Sequence, residues 1–419
     1  MKRVLLAVVC VLTLAPTAQA KDADVRFSTF NASLNRNFAG QLVADLSTPN
    51  NQQAKNVAET IQRYRPDVLL INEFDFAPAA VDLFRENYLE VSQNGSEPIH
   101  YEFSFIAPSN TGIPSGKDFS NDGTIGGPND AYGFGFFPGQ FGMLVLSRYP
   151  IAVDDVRTFQ LFRWADMPGA LLPDDPRTAA PADWYSADEL GVFRLSSKSH
   201  WDVPITIGKK AVHFLVSHPT PPVFDDPPAF PAGVDFNGRR NNDEIRFWAD
   251  YITPAGSDYI YDDSGVRGGL KPGELFVIAG DQNSDPLDGD SIPGSIQQLL
   301  DHPLINTKVT PTSQGGPWAA AIQDALNLTH ESDPVYDTAD FCDTPAFPPC
   351  SGPGNLRADY VLPRKTMQID GAGVFWPTTD PNDGDPYEFP YLTDLTGLGF
   401  PAPTSDHRAV WVDVTIPAN

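Results

Sequence analysis

Asn31, Glu73, His218, Asp281, Asn283, Asp359, Asp406 and His407 are of types that suit one kind of chemistry together. They fall in six segments that join an apolar, strand-like run to polar residues: FNAS, LLINEFD, LVSHP, AGDQNSDP, RADYVLP and TSDHRAV. A lone carboxylate after a strand is usually a turn former or a helix cap. So large a set, in segments of one design, is read instead as side chains delivered to a common loop-rich face. Each is expected at, or just past, the C-terminal edge of its strand. Hard divalent cations such as Mg²⁺ or Mn²⁺ take oxygen ligands and keep several waters. Asn31, Glu73, Asp281 and Asn283 offer those oxygens. A cation held there polarises a phosphoryl group and offsets developing charge. A histidine paired with a carboxylate is fixed in one tautomer and becomes a better base or charge stabiliser. The chemistry this set supports is metal-assisted hydrolysis of phosphate esters.

Elements able to position these groups recur along the chain. VRFSTFN alternates like a strand, and AKNVAETIQRYRPDV carries Ala54, Val57, Ile61 and Tyr64 at helical spacing before Pro66 stops it. VLLINEF and ELFVIAGDQN read as buried strands, and FGMLVLSRYPI as another. GVFRLSSKSHWDVPI and KKAVHFLVSHP are expected to pair across a Gly208–Lys209 turn. NNDEIRFWADYI is a helix with Ile245, Trp248, Ala249 and Ile252 on one face. LRADYVLP and HRAVWVDVTI are the closing strands. Strand, helix and strand with acidic tips define an α/β layered fold. Polar strand ends recur from both termini, which implies one domain over 21–419 with long loops near 94–139, 219–240 and 284–356.

The six motifs resemble, in order, those of the endonuclease/exonuclease/phosphatase superfamily. Its members include the secreted deoxyribonuclease, abasic-site endonucleases, bacterial sphingomyelinases and inositol phosphatases. The resemblance runs from about Val25 to Ile416, and GDxN followed far downstream by SDH is its most specific part. It implies a four-layer α+β sandwich, two packed mixed β-sheets flanked by helices. It implies that Asn31 and Glu73 form the first metal-site pair and that Asp406 is a neighbouring metal-linked carboxylate. Asp281 is then the group that orients or deprotonates the attacking water, and Asn283 helps hold phosphate or metal. His407 is similar to the late histidine that contacts phosphate, with Asp359 orienting it. His218 falls where deoxyribonuclease-like and sphingomyelinase-like members carry a histidine. Which histidine is acid and which is base stays open.

Substrate contacts are expected from Arg194, Lys198 and His200 in FRLSSKSHWDVP, and from Arg239 and Arg240 ahead of the later helix. The alternatives are an ordinary charged strand edge and helix-cap charges. Arg148 reads as structural, and Trp164, Trp184 and Trp201 as core. DPLDGDS, near Asp285 to Asp290, resembles a calcium loop without its downstream glutamate and is carried as an auxiliary Ca²⁺ site. FGFFPGQF, at Phe134 to Phe141, reads as a buried loop anchor, with a membrane contact as the rival.

Composition sets the surroundings. Met1-Lys2-Arg3, the apolar run Val4 to Leu14 and Ala18-Gln19-Ala20 have the layout of a secretory signal cleaved after Ala20. A secreted or periplasmic protein follows, without a transmembrane segment. Cys342 and Cys350 are then left to close a short Pro-rich loop as a disulfide. The formal charge is −26, which repels polyanions at long range and disfavours a general nucleic-acid binder. Three readings remain: a monomeric phosphoesterase for a small phosphorylated substrate, an extracellular nuclease, or a binding protein that kept the fold without catalysis.

Overall fold

The computed structural model describes residues 21–225, 234–323, 326–342, 352–378 and 404–418. The signal segment and Cys350, on which the cleavage and disulfide expectations rest, lie outside the described residues.

Two mixed sheets carry the fold. The first has the order β12-β13-β1-β2-β4-β3. Its strands are β1 (Ala23–Asn31), β2 (Val68–Asn72), β3 (Phe103–Phe105), β4 (Met143–Ser147), β12 (Gln368–Phe375) and β13 (Ala409–Ile416). The second has the order β11-β8-β7-β6-β5. It is built from β5 (Arg157–Thr158), β6 (His200–Ile207), β7 (Lys210–Ser217), β8 (Leu275–Asp281) and β11 (Asp359–Pro363). A short ladder of β9 (Ala339–Phe341) and β10 (Gly354–Leu356) lies apart from both.

Why β2 and β8 are apolar up to their last residue follows from the layering. Val68 and Leu70 of β2 pack with Val277 and Ala279 of β8 in the core between the sheets. Leu69 and Ile71 face outward, under Ala54, Val57 and Ile61 of the helix Gln52–Tyr64. Phe276 and Ile278 face the opposite way, under Ile245 and Trp248 of the helix Phe236–Tyr251. A strand covered on both faces cannot alternate with polar residues. The result is helix, sheet, sheet, helix, the four-layer arrangement expected.

Local signals set the element ends. Asn51 caps the Gln52–Tyr64 helix by accepting from the Ala54 N–H at 2.9 Å. Arg65, at φ 52°, closes it just ahead of Pro66. Asp235 caps the Phe236–Tyr251 helix through the Gly238 N–H at 2.8 Å.

Two local expectations need correction, and one strand is new. GVFRLSS is irregular, because pairing with β7 starts only at His200. MQIDGAGVF, not assigned from the sequence, forms β12 beside β13. A Cβ at Gly373 would lie 2.8 Å from the Trp411 ring, so the glycines make room for that indole. FGFFPGQF is not a buried anchor, since Phe134 and Phe136 are 52% and 68% exposed. Trp164, Trp184 and Trp201 are core residues as read, and Arg148 pairs with Asp67.

Candidate active site

The site forms where the ends of β1, β2, β7 and β8 meet the starts of β11 and β13. Asp359 and His407 therefore differ from expectation: they open or precede their strands instead of ending them. β11 runs antiparallel to β8 and β13 antiparallel to β1, so these starts lie at the same sheet edge as the other strands' ends. Asp359 sits directly opposite Asp281 in the ladder.

Asp281 is the centre. Its Oδ2 lies 3.3 Å from His218 Nε2 and 3.5 Å from His407 Nε2, and accepts from Asn31 Nδ2 at 3.1 Å. Its Oδ1 accepts from the Asn283 N–H at 2.9 Å. Its own N–H donates to Asn72 Oδ1 at 3.3 Å. The preceding Gly280, at φ 151°, lets β8 pass β7 so closely that a Cβ would meet the Ser217 carbonyl oxygen at 2.0 Å. Glu73 and Asn283 are held at φ 61° and 50°. Left-handed backbone at residues other than glycine costs about 1–3 kcal/mol and concentrates at functional sites.

The two histidines are in opposite charge states. Burial, then the neighbouring Lys198 charge, pushes His218 down to about 4, so its imidazole is neutral. Burial also disfavours the charged form of His407, but Asp359 and Asp281 outweigh it and raise the imidazole well above its usual value. His407 Nδ1 donates to Asp359 Oδ2 at 2.8 Å. Burial opposes ionisation of Asp281, yet His407 and His218 hold its carboxyl below the ordinary carboxylate range. One ionised carboxylate thus lies between a neutral and a charged imidazole.

Behind them stand residues that the sequence reading missed. Thr338 Oγ1 donates to Asp359 Oδ2 at 2.9 Å, and Ser405 Oγ accepts the His407 N–H at 3.1 Å. Asn72 Nδ2 reaches the Ser217 carbonyl at 3.3 Å, tying the sheets together beside His218. An asparagine inside the buried run VLLIN was the available signal for it; Thr338, in an irregular stretch, gave none.

The donor atoms for a cation form two groups. Asp281, Asp359 and His407 bring ligand atoms within 4.8 Å of one another, near enough to share a metal ion. Here the protonated His407 offsets one of the two carboxylates, and while protonated its imidazole has no lone pair for coordination. Glu73, Asn31 and Asp406 are different. Burial and then Asp406 raise the half-buried Glu73 to about 7, against the pull of His407, Asn31 and Lys198. An uncompensated carboxylate among oxygen donors fits a hard divalent cation, which would supply the missing positive charge. Asp406 Oδ1 also accepts from Ser33 Oγ at 3.3 Å.

Of the expected substrate residues, Lys198 comes to the site. It is 7% exposed, and burial lowers its ammonium despite Glu244, Glu73 and Asp281 nearby. Arg194 turns away, with Nη1 on Asn110 Oδ1 at 2.6 Å and its guanidinium over the Tyr132 ring. Arg240 is buried, donating to the carbonyls of Leu195, Arg194 and Tyr132. Arg239, half-buried, makes no ion pair among the described residues. His200 points into the core, with Nε2 on the Glu244 carbonyl at 2.9 Å and its ring against Phe247 and Trp248. Asp285 and Asp288 of the expected calcium loop accept backbone N–H groups from Leu287, Asp288, Arg357, Glu331 and Ser332. Those bonds account for the acidic loop as a set of turn clamps.

His200 gives a stability prediction. Burial lowers it from 6.5 to about 4. Between those values the unfolded chain binds a proton that the folded chain refuses, so stability falls as pH drops through the window. The loss reaches about 3 kcal/mol for a shift of this size. Urea unfolding at pH 7 and pH 4.5 should show a steeper acid loss for wild type than for His200→Gln.

A family model, the endonuclease/exonuclease/phosphatase family, matches residues 28–407. The chain belongs to that family, whose members are hydrolases acting on phosphoester bonds. Among solved structures, an endonuclease/exonuclease/phosphatase from Beutenbergia cavernae is 14% identical, with a TM-score of 0.48 over 94% of this chain and 72% of that one. A family protein from Bacteroides thetaiotaomicron is 11% identical, with a TM-score of 0.45 over 95% and 100% of the two chains. Sphingomyelinase C from Streptomyces griseocarneus is 15% identical, with a TM-score of 0.43 over 93% and 99%. No curated protein matches by sequence. Among the described residues no helix is long and apolar enough to cross a membrane.

Proposed function

We propose that the protein is a secreted, divalent-metal-dependent phosphoesterase, acting as a monomer on phosphate mono- or diesters of small molecules. The observation that carries the reading is Asp281 Oδ2, flanked at 3.3 and 3.5 Å by a neutral and a charged imidazole. That carboxylate is placed to orient and deprotonate an attacking water. His407, kept protonated by Asp359, stabilises charge on the phosphoryl oxygens. His218 donates from Nε2 to Asp281 and fixes the orientation of the carboxylate. Lys198 offers an ammonium to a phosphate oxygen. Glu73, Asn31 and Asp406 would hold Mg²⁺ or Mn²⁺, with Asn283 as a further oxygen donor. Such a cation polarises the phosphoryl group and offsets the developing negative charge.

The charge of −26 and the inward turn of Arg194 and Arg240 favour a small substrate over a nucleic acid. Hydrolysis of p-nitrophenyl phosphate, bis-p-nitrophenyl phosphate and plasmid DNA, with Mg²⁺, Mn²⁺, Ca²⁺ or EDTA, tests both points. Turnover of the nitrophenyl esters that EDTA abolishes and Mg²⁺ or Mn²⁺ restores is expected. Glu73→Gln should raise the metal concentration for half-maximal rate by a factor on the order of 100, since it removes a ligand charge. Turnover indifferent to EDTA would sink the metal assignment, and plasmid cleavage as the best reaction would restore the nuclease.

A further inference from the structure

The helix Phe236–Tyr251 presents polar residues to the site from behind. Arg240, Asn241, Glu244 and Trp248 share one face by their spacing. Arg240 Nε donates to the Leu195 carbonyl at 2.8 Å. Asn241 Nδ2 donates to the carbonyls of Thr220 and Gln282 at 2.8 and 2.9 Å. Trp248 Nε1 donates to Ser217 Oγ at 3.0 Å. These four contacts land within three residues of Lys198, His218 or Asp281, so one rigid element gauges the spacing of three chain segments.

Glu244 is the central rung. It is fully buried, and its two oxygens are divided between two segments. Oε1 accepts the Ser197 N–H and Oε2 the Thr220 N–H, both at 2.6 Å. Ser197 adjoins Lys198, and Thr220 lies two residues beyond His218. Short bonds from backbone N–H to an ionised carboxylate are roughly twice as strong as neutral ones. The segment carrying Lys198 lies in no helix or strand between Gly191 and Ser199; besides Glu244 it is held by Asn110, whose N–H donates to the Lys198 carbonyl at 2.8 Å. Nothing in the reaction requires Glu244 to touch substrate, and its electrostatic neighbours include Lys198 and Arg240.

We propose that Glu244 is a positioning residue, a two-pronged clamp that sets Lys198 and His218 at their working separation across the site. This rests on the phosphoesterase reading of that site. Glutamine at 244 would keep the shape but turn an NH₂ toward one of the two backbone donors, so one prong opens. Aspartate would keep both acceptors and the charge on a shorter stem.

The test uses the full chain and compares Glu244→Gln and Glu244→Asp with Asp243→Asn. Asp243 is equally buried on the same helix but bonds Trp164 Nε1 and the Leu171 N–H, away from the three segments. A misplacement near 1 Å costs about 100-fold, so Glu244→Gln should lower kcat about that much with KM changed less than about threefold. Glu244→Asp should recover at least about tenfold of the loss. Asp243→Asn should lower Tm comparably and leave kcat near wild type. Wild-type kcat in Glu244→Gln, or an equal kcat loss in Asp243→Asn, would overturn the proposal. Wild-type protein that hydrolyses no phosphate ester would instead sink the phosphoesterase reading. The clamp would then be read from imidazole ¹⁵N spectra. Displacement of the His218 signal in Glu244→Gln with those of His213 and His302 unmoved supports it, and an unmoved His218 signal refutes it.

Discussion

Asp281→Asn is expected to lower kcat by about 10⁴-fold while the protein still folds, because asparagine keeps the shape and loses the base. In the proposed reaction the carboxylate receives a proton from water, helps Asp359 keep His407 protonated, and accepts from His218 Nε2. The substitution removes the first and weakens the other two. Asn31 Nδ2, which donates to Oδ2 at 3.1 Å, and the Asn283 N–H, which donates to Oδ1 at 2.9 Å, also compete for the one amide oxygen that remains. Steady-state rates on the best nitrophenyl ester, with circular dichroism confirming the fold, decide it. A loss under about tenfold would move the base elsewhere.

His407→Ala should cost about 10³-fold, the scale for removing one preorganised charge stabiliser. Asp359 is useful chiefly through His407, which it holds at 2.8 Å. Asp359→Asn alone should therefore cost about 100-fold, and adding it to His407→Ala should cost almost nothing further. Thr338 sharpens the comparison, since its hydroxyl donates to the same Asp359 oxygen. Thr338→Val should show a smaller loss in the same direction, and it too should vanish in the His407→Ala background. Independent, multiplying losses for Asp359 and His407 would mean that Asp359 acts on the reaction directly.

Much of this was legible because strand and site are one signal. VLLI and LFVIAG are apolar throughout since both faces are covered, and the first polar residues after them mark where the backbone leaves the core. Asp359 and His407 were found by the same polar break but assigned to the wrong strand edge, since sequence does not give strand direction. Arg194, His200 and Arg240 were misjudged for another reason. For Arg194, no periodicity between Gly191 and Ser199 reports which way a side chain faces; for Arg240, a buried guanidinium satisfied by carbonyls looks the same in sequence as a substrate clamp, and His200 turns into the core at the first residue of its strand. Glu244 carried a readable mark: it falls on the same helix face as Ile245 and Trp248. A charge on a buried face needs partners, and those partners come from distant segments that sequence spacing cannot locate.

β1 and β13 are neighbours in one sheet although they come from opposite ends of the chain, with Thr29 facing Val410. A ribosome that has delivered Asn31, Glu73, His218 and Asp281 has made a chain still lacking His407 and the strand that flanks β1. Hydrolytic competence therefore arrives as a late, single event in synthesis, and no amino-terminal fragment should show a graded share of it.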